Sequence, residues 1–353
     1  MNTLKYDFDN VFITPERITT IKSRYNDINP YHNGKLPLFT APMDTVVDET
    51  NYQTFLNSKL NVCLPRTVPF EIASKMEKVF ISVSLEKFED LVNNRKLNNN
   101  LKILVDTANG HLITILESVK FAKTIWPQIT IMAGNIANPY TILDYEKAGI
   151  DYVRVGIGGG GGCLTATQTG VSYAMASLIK EASEIKKDNG LKIKIVADGG
   201  MRKYSDIVKA LALGADYVMV GSLFNKTLES CGENHIKIFG THFKVNSVVT
   251  NFLYNKGFEI FKKFRGMSTK EVQKRMGAKV LKTAEGIVRY QKVEYTLSKW
   301  IENFESYLRS NMSYSNSDNL NNFIGEVDFT INTSEVFERI NKWNTLLKIK
   351  TLI

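Results

Sequence analysis

The sequence predicts an α/β protein built as a (βα)8 barrel, and three observations carry that reading. Short apolar, β-branched runs recur eight times, helix-period stretches separate most of them, and several runs end in small or polar residues. Near-continuous apolar strands alternating with helices imply parallel strands buried on both faces. In a barrel, the C-terminal ends of such strands share one face, and that face carries the active site. The 353 residues are enough for a large α/β unit of this kind.

In chain order the runs are LPLFTAPM, VCLP, VFISVSL, KILVDTANG, ITIMAGNI, YVRVGI, IKIVADGG and YVMVGS. Helical patterns lie between them in HLITILESVKFAKTIW, NPYTILDYEKAG, SYAMASLIKEASEIKK and SDIVKALALG, and TLSKWIENFESYLRSNM supplies the last helix. The strand ends present Asp106 to Gly110, Gly134 with Asn135, Gly158 to Gly162, Asp198 to Gly200, and Gly221 with Ser222. Residues 232–290 break the repeat and read as an excursion after the eighth strand, a candidate lid or flap. Beyond Ser313 the chain is Asn/Ser-rich before it resumes with FIGEVDFTI. Residues 1–353 therefore read as one barrel domain that includes this excursion.

Hydrophobic residues make up 43% of the chain and charged residues 23%, an ordinary globular balance, and no segment offers the roughly 20 apolar residues of a membrane span. The start, MNTLKYDFDNVF, has neither a signal nor a transit pattern, so a soluble, cytoplasmic protein is expected. The net charge of +9 is spread among interleaved acidic residues rather than gathered in a stripe, which argues against nucleic acid as a partner. Cys63, Cys163 and Cys231 are an odd, widely spaced set without a C-x-x-C, which disfavours a disulfide framework or a zinc site.

The five glycines Gly158–Gly162 run straight into Cys163. Each ordered glycine costs roughly 0.5–1 kcal/mol relative to alanine in regular structure, so the run is either a disordered spacer or a cradle. Gly156, Gly158 and Gly161 satisfy G-x-G-x-x-G, but any glycine run does, and Cys163 to Gly170 must be crossed before a helix begins. A P-loop is excluded because no Gly-Lys-Ser/Thr follows. Consecutive glycines can present N–H groups to a phosphate and carbonyls to a cation, and a thiolate held beside them can act as a nucleophile.

The loop GIGGGGGCLTA resembles the catalytic loop of the IMP dehydrogenase/GMP reductase family, approximately G-I-G-P-G-S-x-C-x-T-R. Similarity continues in family order through FDNVFITPERITTIKSR, APMDTV, VDTANG, AGNI, VADGGMRKYSDIVKALALGADYVMVGS, RGMS and AEG. The combination is far more specific than any one motif. The resemblance implies that Cys163 attacks C2 of a bound purine nucleotide, with Thr165 and Glu285 as a proton relay. It places Asp198 on the ribose hydroxyls, Gly200, Gly221 and Ser222 on the 5′-phosphate, and Met267 with Ser268 around the base. Met43, Gly161, Arg265 and Gly266 join the same substrate site. Asp106, Asn109, Asn135 and Arg66 fall on the nicotinamide-cofactor side, and the carbonyls of Gly158, Gly160 and Cys163 on a potassium site. A homotetramer is implied as well.

Two departures stand out: the family's loop Pro and Ser are Gly159 and Gly161, and the arginine after the threonine is Ala166. Both family reactions share a thioimidate at C2. The dehydrogenase, which uses NAD, needs an Arg-Tyr pair upstream of Glu-Gly to activate water, and GMSTKEVQKRMGAKVLKTAEG lacks it. Arg289-Tyr290 lies after Glu285-Gly286 instead and reads as structural. No regulatory pair of the CBS type is inserted between strands. The implied activity is thus an NADPH-dependent GMP reductase, with IMP dehydrogenase or a catalytically silent nucleotide-binding relative as alternatives.

Overall fold

The structure is a computed structural model and describes residues 4–276, 286–340 and 342. The eight apolar runs form one parallel sheet: β1 (Leu38–Thr40), β2 (Val62–Leu64), β3 (Val79–Val83), β4 (Lys102–Asp106), β5 (Thr130–Ile136), β6 (Tyr152–Val155), β7 (Lys194–Asp198) and β8 (Tyr217–Val220). From β2 to β8 each strand pairs with its successor, and β8 returns to β1 with Leu38 opposite Val218 and Thr40 opposite Val220. The remaining seam, between β1 and β2, is joined where Phe39 bridges Asn61 and the Thr40 N–H donates to the Asn61 carbonyl at 2.9 Å. This is the (βα)8 barrel that the sequence predicts.

Side chains alternate across each strand, so every strand feeds two cores. Outward residues such as Val153, Val155, Ile195 and Ala197 pack under the helices. Inward residues, among them Phe39, Cys63, Phe80, Leu104, Met132, Val196 and Met219, fill the barrel. Phe39 meets Phe80 edge-on at 5.5 Å and Tyr217 at 5.1 Å, and Tyr152 meets Phe80 at 5.4 Å. Because Tyr152 and Tyr217 begin β6 and β8, this aromatic plug closes the N-terminal end of the barrel. The open space is left at the other end.

The outer helices include Ile113–Ile125, Thr141–Ala148, Met175–Asp188 and Tyr204–Ala212, matching the helical periods of the sequence. Thr141–Ala148 stops at Gly149, whose φ of +84° is a left-handed turn that glycine adopts at little cost. The last helix, Leu297–Tyr314, buries Leu297, Trp300, Phe304, Leu308 and Met312, a stripe at steps of three and four. The helices after β1 and β2, Tyr52–Asn57 and Phe70–Ala73, are too short to give a strong period, whereas the one after β3, Leu85–Asn93, buries Phe88, Leu91 and Val92 along one face. Among the described residues no helix is long and apolar enough to cross a membrane.

The segment that breaks the repeat folds into a four-stranded antiparallel sheet: β9 (Asn234–Ile238), β10 (Thr241–Lys244), β11 (Ile260–Arg265) and β12 (Val288–Lys292), in the order β10-β9-β11-β12. It is tied to the barrel by Gln291, whose Nε2 donates to Asn225 Oδ1 at 3.1 Å, while Asn225 Nδ2 donates to the Thr45 carbonyl at 2.7 Å. Near the C-terminus, Phe329–Ile331 pairs antiparallel with Val11–Ile13, so the stretch FIGEVDFTI closes onto the amino-terminal segment.

Phe39→Ala is expected to lower unfolding free energy by about 3–5 kcal/mol, since it empties the centre of the plug. Phe252→Ala, at a side chain 62% exposed, should change it by only about 0.5 kcal/mol or less. Urea titration of the two variants checks the contrast.

Candidate active site

A cavity of ≈ 270 Å³ opens at the C-terminal ends of the barrel strands. It is walled by the ends of β4 to β8, by the glycine loop after β6 and by the turn after β11. Its charged floor comes from a chain of four side chains. Arg154, third in β6, shares the inward parity of Tyr152 and lies buried between two carboxylates. Its Nη1 is 2.6 Å from Asp106 Oδ1 at the end of β4, and its Nη2 is 2.7 Å from Asp198 Oδ2 at the end of β7. Arg66 Nε stands 3.1 Å from Asp106 Oδ2, an ion pair whose N–H is poorly aligned for a hydrogen bond. Asn135 Nδ2 donates to Asp198 Oδ2 at 2.8 Å and to the Gly156 carbonyl at 2.7 Å.

Burial by itself would raise the Asp106 pKa, but the Arg154 and Arg66 charges outweigh it and hold the carboxyl below its ordinary value. Burial would likewise lower Arg154, and the two aspartates reverse that, so the guanidinium stays charged. The chain of two cations and two anions is neutral as a set, and Asp198 is fixed with a carboxylate edge toward the cavity.

The glycine loop brings the thiol to this floor. Gly158 has a φ of +84°, and a Cβ there would lie 2.7 Å from that of Ala166, so only glycine turns the chain at this point. At Gly162 a side chain would press on Phe264 at 3.0 Å and on the Gly266 backbone N at 3.3 Å. Gly159 and Gly160 have ordinary room instead, with nearest neighbours at 3.5 Å. The Cys163 N–H donates to the Gly160 carbonyl at 2.9 Å, and one helical turn, Thr165–Thr169, follows at once. Cys163 Sγ lies 3.2 Å from Thr165 Oγ1. The loop is clasped from outside: Cys163 bridges Gly286, and the Ile287 N–H donates to the Gly162 carbonyl at 3.1 Å. Cys163 is the exposed cysteine of the three, whereas burial pushes the thiols of Cys63 and Cys231 well up and leaves them inert.

An exposed thiol thus stands at the barrel's C-terminal face beside a fixed carboxylate and a glycine loop. The IMP dehydrogenase / GMP reductase domain matches residues 81–339. The chain belongs to the IMP dehydrogenase/GMP reductase family. A GMP reductase of Streptococcus pyogenes serotype M5 is 30% identical over 254 residues, covering 68% of this chain and 75% of the relative. A GMP reductase of Helicobacter pylori is 31% identical over 255 residues, covering 67% and 76%. An inosine-5′-monophosphate dehydrogenase of Chlorobaculum tepidum is 44% identical over 143 residues, which are 40% of this chain and 28% of that protein's length.

Of the residues that the family resemblance assigns to the site, Cys163, Thr165, Met43, Gly161, Asp198, Gly200, Gly221, Ser222, Gly266, Met267, Ser268, Asp106, Asn135, Arg66, Gly158 and Gly160 all border the cavity. Two do not. Arg265 points to the other side of β11, where its Nε is 3.2 Å from Asp44 Oδ1 and its guanidinium also pairs with Glu271. Asn109 is exposed, its Oδ1 accepting from the His111 N–H at 3.0 Å in a local turn. Glu285 lies outside the described residues. Arg154 was the residue to add, and its signal is a charge at an inward position of the apolar run YVRVGI.

In this family member Arg154→Met strips the half-buried Asp198 of its cation and leaves Asp106 with Arg66 alone, with an expected loss of up to roughly 3–5 kcal/mol at neutral pH. The wild-type Asp106 contribution is fully present above the ordinary carboxylate range and fades as pH falls through its depressed value. In the variant the burial that raises Asp106 is opposed by Arg66 alone, so destabilisation should ease on acidification. Thermal melts from pH 8 to pH 4 distinguish the two slopes.

Proposed function

We propose that the chain is a GMP reductase that acts on a purine nucleoside 5′-monophosphate with NADPH. The breadth of the similarity carries this reading: the reductases named above align over about two thirds of the chain. The dehydrogenase similarity is higher but confined to 143 residues, and it favours IMP dehydrogenase as a second reading.

Cys163 is the nucleophile of the proposed reaction. Its thiolate forms the S–C2 bond to the purine, and the C2–N bond of the exocyclic amine then breaks with a proton delivered to nitrogen. Thr165, 3.2 Å from the sulfur, stands where it can pass that proton, and Glu285 is its proposed source. Asp198, oriented by Arg154 and Asn135, accepts hydrogen bonds from the ribose hydroxyls. The chemistry a bound cofactor would supply is a hydride for C2, and Cys163 would then leave as thiolate with the S–C2 bond pair, releasing IMP. Arg66 suits the cofactor's anionic part, because it lines the cavity and its buried Nε has no aligned acceptor. The carbonyls of Gly158, Gly160 and Cys163 are neutral, hard donors of the kind potassium takes, and that of Gly160 keeps a second lone pair beyond its bond to Cys163. A cytoplasmic homotetramer belongs to the same reading.

Incubation with GMP and NADPH is expected to bleach the reduced-nicotinamide absorbance with release of ammonia. Absence of bleaching, together with reduction of NAD in the presence of IMP, would reverse the assignment to dehydrogenase. Cys163→Ala should abolish turnover while purine monophosphate still binds, as followed by calorimetry. Turnover retained in that variant would remove the covalent step.

A further inference from the structure

Arg289 is an unassigned cation that lies against two residues lining the cavity, Gly161 and Phe264. In the β11/β12 ladder it stands directly opposite Phe264, so both side chains leave the sheet on the same face. Phe264 is buried and lines the cavity, and the Arg289 guanidinium lies over its ring at 5.0 Å. The neighbouring Tyr290 takes the other face, stacked on His242 at 4.2 Å. The dipeptide is thus divided, and only its arginine turns to the site.

Where that guanidinium goes is measured at Gly161. A Cβ on Gly161 would lie 3.1 Å from Arg289 Nη2 and 3.8 Å from Ser222 Oγ. The guanidinium therefore occupies the space that a side chain at 161 would fill, beside the start of the Ser222–Asn225 turn after β8. Among the described residues no carboxylate pairs with it. The carboxylates that border the cavity, Asp106 and Asp198, are already matched by Arg66 and Arg154. The corner framed by Gly161, Gly221, Ser222 and Arg289 thus carries one uncompensated positive charge on a planar fork of donors, the geometry that grips a phosphate through two parallel hydrogen bonds.

We propose that Arg289 binds the 5′-phosphate of the substrate, and that Gly161 is glycine so that the guanidinium can reach it. This deepens the purine-nucleotide reading and rests on it. The two residues form a coupled pair, one supplying the charge and the other the room.

Calorimetric titration of the full chain with GMP and with guanosine tests the pair. Arg289→Ala is expected to weaken GMP roughly 10- to 100-fold and to leave guanosine unchanged, with Arg289→Lys recovering part of the loss. Gly161→Ala should weaken GMP about 3- to 10-fold in the native background and have no further effect once Arg289 is alanine. Because Arg289 is exposed and, among the described residues, pairs with no carboxylate, the variants should melt as the wild type does. Equal affinity of wild type and Arg289→Ala for GMP, or equal losses for GMP and guanosine, overturns the assignment of Arg289 alone. A wild type that binds neither GMP nor IMP overturns the nucleotide reading and this assignment with it.

Discussion

The site depends first on Arg154 holding Asp106 and Asp198 together across the mouth of the barrel. Three strands that are not all neighbours, β4, β6 and β7, are joined there through one guanidinium. A buried ion pair of this kind contributes little net stability relative to well-packed apolar groups. Its value lies in orientation. With one oxygen of Asp198 bonded to both Arg154 and Asn135, the carboxylate has a single way to face the cavity, and Asp106 is locked by the same cation. The charged floor of the cavity is therefore set by the barrel wall and not by its loops.

The glycine loop is held in a second way, by contact instead of charge. A Cβ on Gly199, at the end of β7, would come within 3.0 Å of the Gly160 backbone N, so two glycine segments pack main chain to main chain. From the other side the backbone of Gly286 and Ile287 clasps Gly162 and Cys163. A segment that would be a flexible linker in isolation becomes the filling between two walls. Cys163 emerges where the walls part, which explains why a thiol at the end of so many glycines can have a defined position.

Much of this was legible in the sequence because barrels write themselves plainly. Eight apolar runs gave eight strands, and the polar residues at their ends lie around one cavity, since a parallel barrel leaves little choice of where a strand end can be. What was hidden followed from pairing between distant segments. Nothing local to KKFRGMS says that Phe264 faces the cavity and Arg265 turns to Asp44; that parity is fixed by the register of β11 with β12. The role proposed for Arg289 is hidden for the same reason, because it depends on the strand opposite it and on a missing side chain at position 161. Arg154 does not stand out in the sequence although its inward parity is visible, because an arginine inside a barrel makes sense only once its two aspartates are in place.

The stack of Tyr290 on His242 acquires a meaning beyond packing. In an antiparallel ladder a slip of one residue exchanges the two faces of a strand, which here would send a phenol to the cavity and a guanidinium to the outside. His235 and His242, one on each strand of the hairpin, grip Tyr290 at 4.7 and 4.2 Å and so oppose that slip. The outer surface of the flap therefore works as a key for its inner surface: aromatic residues turned away from the cavity determine which side chain lies over Phe264.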